Sequence, residues 1–351
     1  MSPAAPPSDP PPPPQGTVEP PPQGTVEPPP QGTVEPPPQG TVEPPPQGTV
    51  EPPPQGTVER WAWDYVLATD LAHKLEPPPV PSVWEPDPAP PRRLVRPGRP
   101  AELRISARAS KSPGPEALRN PARRAQLFHA FMHHELQAAE LMAWALLAFP
   151  ETPRAFRGGL VRIALDEVRH MRLYAAYLAA IGHRFGDFPV RDWFWSRVPA
   201  AASPAQFVAV MGMGLEGGNL DHTARFAERF RAIGDDEGAA LTERVCAEEI
   251  PHVRFGVRWF RRFTQAPGGA SPHPPGGASP HPPGGASPHP PGGASPHPPG
   301  DFETWIRHIP PPLSPLLMRG EPMNRRDRTR SGLSEPFLDA LAAWTERTPG
   351  S

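Results

Sequence analysis

Two four-residue segments decide how this chain is read: Glu167-Val168-Arg169-His170 and Glu249-Ile250-Pro251-His252. Each is a Glu-x-x-His unit that trails a lone glutamate at nearly the same distance. Glu135 lies 32 residues before Glu167, and Glu216 lies 33 residues before Glu249. A chain rich in Glu yields one such unit by chance, but not two with matched leaders. On a helix, positions i and i+3 share a face, so each unit aims a carboxylate and an imidazole the same way.

The glutamates lie on or beside apolar stripes. Phe128, Met132, Glu135, Ala139 and Met142 form one stripe, and Ile163, Glu167, His170, Tyr174 and Leu178 a second. Leu241, Val245, Glu249, His252 and Val257 form another. These recur at helical spacing. The stripe through Val208, Met211, Leu215, Glu216, Leu220 and Phe226 is less regular. Asn120-Pro121, Thr152-Pro153 and Ser203-Pro204 each place a capping residue before a proline and predict three helix starts. The first helix should stop before Pro150, the second run to Gly182 and the third end at Gly234. Asp235 or Asp236 should cap a fourth that reaches about Phe263. Short links make helices 1 and 2, and helices 3 and 4, antiparallel pairs. The link over 183–202 carries Phe185, Phe188, Trp193, Phe194 and Trp195 and can run the ~42 Å length of such a helix. The expectation is an all-α fold: a four-helix bundle over 120–264 with one long crossover between helices 2 and 3.

Mid-helix positions of antiparallel helices fall at one height, which brings Glu135, Glu167, His170, Glu216, Glu249 and His252 together as candidate metal ligands. Burying four unpaired carboxylates costs several kcal/mol at least, and two divalent cations would compensate them. One Glu from each of two helices plus Glu-x-x-His from each of the other two is the di-iron or di-manganese carboxylate pattern. Oxygen and imidazole donors suit Fe or Mn. The competing reading is a buried ion-pair network among these Glu and His residues, with Arg162, Arg169 and Arg254 nearby, which explains charge in a core but not the doubled spacing. No catalytic residue can be assigned. His133 and His134 flank Glu135 but face away from it, and Tyr174 shares the Glu167 face. Asn219 and Asp221 are candidates to orient the imidazoles. Cys246 lies one turn before Glu249, and Pro251 should kink helix 4.

Of 351 residues, 62 are proline, many of them in two repeat arrays. Residues 1–59 repeat Pro-Pro-Pro-Gln-Gly-Thr-Val-Glu and read as extended and disordered. Residues 265–300 repeat Gly-Gly-Ala-Ser-Pro-His-Pro-Pro, with His273, His281, His289 and His297 at regular intervals; this is an expanded linker or a weak metal trap. Between the first array and the bundle, 60–119 reads as a short amphipathic helix (60–76) and an irregular extension. Residues 301–351 read as a C-terminal extension packing on the bundle through Phe302, Trp305, Phe337, Leu338 and Leu341. A net charge of −2 does not suggest a nucleic-acid partner. The basic run Arg319, Arg325, Arg326, Arg328 and Arg330, diluted by Glu321 and Asp327, reads as a solvated face. A single cysteine excludes an intrachain disulfide and suits a reducing compartment. No signal-peptide core is visible, and the longest apolar run, 141–149, is too short to span a bilayer. A cytoplasmic protein with no membrane partner is expected.

Several stretches carry a family resemblance: His133-His134-Glu135-Leu136-Gln137-Ala138, Asp166-Glu167-Val168-Arg169-His170, Phe185-Gly186-Asp187-Phe188-Pro189-Val190, Glu216-Gly217-Gly218-Asn219-Leu220-Asp221 and Glu249-Ile250-Pro251-His252-Val253. Through them the chain resembles the ferritin-like di-iron carboxylate superfamily, and within it a bacterial ferritin-like family classed as a domain of unknown function. The resemblance covers roughly 60–264 and 301–345. It implies a metal-binding bundle and supplies no reaction of its own. Superfamily relatives include tRNA-modifying hydroxylases, ferroxidases, manganese catalases and ribonucleotide reductase small subunits. The expected function is a di-iron (or di-manganese) oxidoreductase that activates O2 or peroxide, such as a hydroxylase of a small-molecule substrate. An electron-donor protein and a homodimeric assembly fit that reading. The alternatives are a ferroxidase or iron-handling protein, and a non-catalytic module with structural metals.

Overall fold

Local signals divide the chain into helices, and the computed structural model describes residues 50–106, 113–265 and 301–345. Among them the fold is all-helical. No strand forms, only two isolated bridges, Thr57 to Val83 and Ile105 to Val190. In chain order the helices are α1 (Val58–Leu67), α2 (Leu71–Leu75), α3 (Pro121–Ala148), α4 (Arg154–Ala180) and α5 (Pro204–Val208). A π-helical segment, Ala209–Leu215, joins α5 to α6 (Glu216–Ala232), and α7 (Asp236–Gln265) comes next. The C-terminal part adds α8 (Asp301–Arg307), α9 (Arg325–Arg330) and α10 (Glu335–Ala343).

The expected caps work at two of three starts. The Asn120 side chain accepts from the Ala122 amide and Ser203 from the Gln206 amide, each with proline at the first helical position. Thr152 does not cap α4, which begins at Arg154; its hydroxyl donates instead to the Phe149 carbonyl and closes the turn leaving α3. Gly182 and Gly234, both at φ +79°, end α4 and α6, where a left-handed residue lets the chain leave the helix. Asp235 accepts from the Gly238 amide at the start of α7.

Other expectations need correction. The third long helix is interrupted by the π-helical turn immediately before Glu216, and this explains the irregular stripe there. Helix α7 is continuous through Pro251, which is compatible with the expected kink. The 60–76 helix is two helices, separated where Asp70 accepts from the Ala72 amide and caps α2. The first array is not disordered to residue 59, because its last copy is built into the fold. Thr57 caps α1 and donates to the Pro54 carbonyl, the Val58 amide donates to Val83, and Glu59 is buried. Trp61, Ala62 and Tyr65 bury directly behind it. The readings of 1–49 and of the array with His273, His281, His289 and His297 lie outside the described residues.

Helix α3 packs along α4, α6 along α7, and α4 against α7. Phe128 stacks on Phe230 and Phe131 meets Phe226 edge-on, joining α3 to α6. Where the π-helical segment crosses α7, Gly212 faces Gly256, and a Cβ on Gly212 would lie 2.8 Å from the Gly256 Cα. The two backbones therefore touch beside the site.

The 183–202 connection is fastened to α3 by buried polar groups. The Gln137 side chain accepts from the Phe194 amide, and Glu140 accepts from Trp195 Nε1. Glu140 also receives Lys74 of α2 and Arg99, while Arg99 and His133 hold Asp192 of the connection. Burial works to lower Lys74, and the Glu140 carboxylate opposes it. On the opposite side Trp305 Nε1 donates to the Ala209 carbonyl, at the start of the π-helical turn. Arg328, fully buried, makes paired bonds of 2.9 and 2.7 Å to Asp221. Asp221 also accepts from the amides of Gly320 and Asn324, so it anchors the C-terminal extension and does not orient an imidazole. The basic run is correspondingly dispersed: Arg325 pairs with Glu335 and Asp339, and Arg330 with Asp327. No helix among the described residues is long and apolar enough to cross a membrane.

Asp221→Ala leaves the Arg328 guanidinium buried without its carboxylate and should destabilise the chain by about 3–5 kcal/mol. Asp221→Ala combined with Arg328→Met should recover part of that loss. Urea unfolding of the full chain reads both; an unchanged midpoint for the single variant would refute the anchoring role.

Candidate metal centre

Each of the four long segments delivers its expected side chains to one interior region. Glu167, His170 and Glu249 are fully buried, and Glu135, Glu216 and His252 nearly so. One ligand atom from each of Glu135, Glu167, His170 and Glu249 lies within 4.8 Å of all the others, a group that can hold a metal ion. His252 Nδ1 lies 2.8 Å from Glu249 Oε2 and 3.0 Å from Glu167 Oε1. His170 Nδ1 lies 3.1 Å from Glu167 Oε2, 3.3 Å from Glu249 Oε1 and 3.8 Å from Glu135 Oε2. Glu167 and Glu249 thus lie between two imidazoles whose ring centres are 5.9 Å apart. Glu216, placed by the π-helical turn, stands outside the tightest group of four but feels the charges of Glu249, Glu167 and His252.

Three buried carboxylate oxygens, Glu167 Oε1, Glu216 Oε1 and Glu249 Oε1, have no hydrogen-bond partner. The first and last lie near an imidazole nitrogen without hydrogen-bond geometry. A buried acceptor left without a donor costs about 1–3 kcal/mol. The donor set fits a cation: carboxylate and imidazole atoms, converging, with acceptors unspent. No guanidinium satisfies them either. Arg169 pairs with the outer carboxylates Asp166 and Glu248, and Arg254 donates to the Arg330 carbonyl. The glutamate–histidine pairs of the competing reading do form, and Arg169 and Arg254 take no part in them.

The outer nitrogens of the two imidazoles show a second regularity. His170 Nε2 lies 3.0 Å from Glu248 Oε2, and His252 Nε2 lies 3.3 Å from Asp166 Oδ2. Asp166 directly precedes Glu167 and Glu248 directly precedes Glu249. Each helix therefore lends the acid before its own Glu to the imidazole of the other helix. A proton on Nε2 donated to that carboxylate leaves the Nδ1 lone pair aimed at the cluster. Asp166 and Glu248 thus fill the role expected of Asn219 and Asp221, and sequence reasoning missed them. The signal was present: an acid stands before the Glu in both units.

The electrostatics are set by burial against neighbours. Burial pushes Glu135 and Glu216 well above the usual carboxylate range, and the other glutamates reinforce this for both. Burial acts in the same direction on Glu167 and Glu249, but the imidazoles hold both below it. Burial works to lower His170 and His252, and the glutamates around them raise both instead. The neighbours thus favour the charged form at His170, His252, Glu167 and Glu249, and burial disfavours it at Glu135 and Glu216.

Around the cluster, the hydroxyl of Tyr174 is raised first by burial and then by Glu135; its ring packs between Phe128 and Phe131. His133 contacts Asp192 at 3.0 Å, and exposed His134 stacks on Phe194. Cys246 is pushed up to about 11, chiefly by burial, and directs its thiol to the Leu220 carbonyl. It borders a cavity of ≈470 Å³ between α6, α7 and the C-terminal extension that none of the six cluster residues lines. A second cavity, ≈180 Å³, does reach the cluster: Glu135 and Glu216 line it.

The chain belongs to the family described as protein of unknown function (DUF455), whose model matches residues 57–339. No curated protein and no solved structure matches the chain.

Glu135 and Glu216 are raised by burial and His170 and His252 by the glutamates, so a cation entering the cluster should compete with protons. Affinity for Mn(II) should therefore fall as pH falls, and calorimetric heats should vary with the buffer's ionisation enthalpy. Binding with no proton release would contradict this charge assignment. Asp166→Asn and Glu248→Gln, which weaken the outer brace of His252 and His170 respectively, should each lower metal affinity about 10–100-fold with the fold retained by circular dichroism.

Proposed function

We propose that the four long helical segments are a ferritin-like four-helix bundle with the 183–202 connection as its crossover, and that the cluster holds two iron ions, with manganese the alternative. The ligands are Glu135, Glu167, His170, Glu216, Glu249 and His252. Glu167 and Glu249, which lie between the two imidazoles, would hold the metals together with His170, His252, Glu135 and Glu216. The observation that carries this reading is the reciprocal support of the imidazoles: His170 braced by Glu248 and His252 by Asp166, each with Nδ1 turned toward glutamates whose oxygens lack partners. A structural ion pair does not require that arrangement to be built twice.

The protein acts as an oxidoreductase on O2 or peroxide, hydroxylating a small substrate, with reducing equivalents from an electron-donor protein. When bound, a redox-active metal pair supplies the electrons that reduce the oxidant. The chain's own residues supply the rest. Asp166 and Glu248 hold the imidazole tautomer. The ring of Tyr174, with Phe128 and Phe131, closes one flank against water. Glu135 and Glu216 face the ≈180 Å³ cavity, so the oxidant and substrate arrive on their side.

The test is anaerobic loading with Fe(II) and then exposure to O2, observed by absorption spectroscopy. New absorption should develop on mixing and be absent in Glu167→Ala and Glu249→Ala. Wild-type protein that retains no iron, or whose iron form is indifferent to both O2 and peroxide, would refute the reading.

A further inference from the structure

Asn219 is not needed to orient an imidazole, since Asp166 and Glu248 do so, and its side-chain amide has no hydrogen-bond partner among the described residues. It lines the cavity beside Glu135 and Glu216 instead. Glu216, Asn219 and His222 follow one another at three-residue intervals on α6, and all three line that cavity. They form a polar strip that steps away from the cluster along the helix, ~4.5 Å at a time. The rest of the wall is largely apolar, from Trp193, Phe194, Leu215 and Leu317, with His134 stacked on Phe194. No Lys or Arg lines the cavity, and its only carboxylates, Glu135 and Glu216, are metal ligands in the reading above. Nothing else in the wall is placed to hold a ligand's charge.

His222 offers this cavity one fixed donor. A guanidinium nitrogen of Arg225 lies 3.0 Å from its Nδ1. A guanidinium only donates, so Nδ1 accepts and the ring proton sits on Nε2. The Nδ1–Cε1 edge is covered by the C-terminal extension: a Cβ on Gly320 would lie 3.3 Å from Nδ1 and 3.4 Å from Cε1. Asp221, the preceding residue, accepts from the Gly320 amide at 2.7 Å and fixes that cover. The Nε2 edge is left to face the cavity, and Nε2 has no partner among the described residues. Burial, and then the Arg225 charge, lower His222 against the opposing Asp221, so the ring stays a neutral donor.

We propose that the cavity takes a small uncharged molecule by an oxygen atom, such as an amide carbonyl, that accepts from His222 Nε2. The Asn219 amide pairs with the polar group beside that oxygen, and Trp193, Phe194 and Leu317 cover the apolar part. Arg225 is a positioning residue: it sets the tautomer of His222 and does not itself line the cavity. That this molecule is the substrate rests on the metal-centre reading above; its recognition by His222 and Asn219 does not.

The probe is isobutyramide, with isobutylammonium and isobutyrate for comparison, on desalted full-length protein whose Mn(II) content is measured. Paramagnetic broadening of the probe's NMR lines reads binding beside the metal, and saturation transfer reads binding to metal-free protein. Isobutyramide should bind in both states and isobutylammonium in neither. His222→Phe and Asn219→Leu should each weaken isobutyramide about fivefold or more at unchanged metal content, and His222→Gln, which keeps an N–H donor, should restore it. Nitrogen-15 spectra of metal-free protein should show the His222 proton on Nε2, a preference lost in Arg225→Met. Isobutyramide that does not bind, or binds without dependence on His222 and Asn219, overturns this proposal and leaves the metal centre standing. So does isobutyrate binding that depends on His222, or a wild-type His222 proton on Nδ1. Protein that takes up no metal overturns the metal-centre reading, and saturation transfer with the same variants then decides the cavity's specificity.

Discussion

Four carboxylates buried at one level of a helical core are the constraint on which the rest of this structure depends. The isolated charges would be prohibitive there. Two imidazoles offset two of them, and burial disfavours the charged form of Glu135 and Glu216, yet three oxygens still lack donors. The group is therefore a poor structural core and a good cation site. The π-helical turn ahead of Glu216 serves the same constraint: it interrupts regular helix geometry immediately before a residue that must face this interior.

Charge is also managed on both sides of the site, by carboxylates whose oxygens all accept hydrogen bonds. On the α3 side Glu140 gathers Lys74, Arg99 and Trp195 Nε1, and so joins α2, the extension before α3 and the 183–202 connection. On the α6 side Asp221 gathers Arg328 and two backbone amides and fastens the C-terminal extension. Both hubs have their acceptors filled, which is what makes buried charge tolerable. The cluster between them does not. That contrast, within one chain, separates a site built for rigidity from one built to receive something. The connection held by the first hub supplies Trp193 and Phe194, and the extension held by the second supplies Leu317. The two hubs together shape the cavity over Glu135 and Glu216.

How much of this was legible in the sequence depends on the range of the signal. The starts of α3 and α7 and the end of α4 come from local devices, a side-chain cap or a glycine in the left-handed region, and these read well because they act within a few residues. The convergence of Glu135, Glu167, His170 and Glu249 came from helical periodicity, which the regular α3, α4 and α7 obey. The π-helical turn was not legible as such, since no residue type encodes it, and it surfaced only as an irregular stripe. Asp221 was misassigned because its partner, Arg328, lies 107 residues away. Asp166 and Glu248 were missed because their contacts cross between helices, although the doubled acid before each Glu marked them. The octapeptide at 52–59 is built into the fold against the apolar residues C-terminal to it, a contact that its repeat unit does not announce.

The central claim is that this interior is a two-metal site. Anomalous scattering at the iron edge, from crystals of the full chain soaked anaerobically with Fe(II), tests it most directly. The account predicts two peaks beside Glu167 and Glu249, among His170, His252, Glu135 and Glu216. No peak in the cluster, or a single peak at saturating iron, would contradict it.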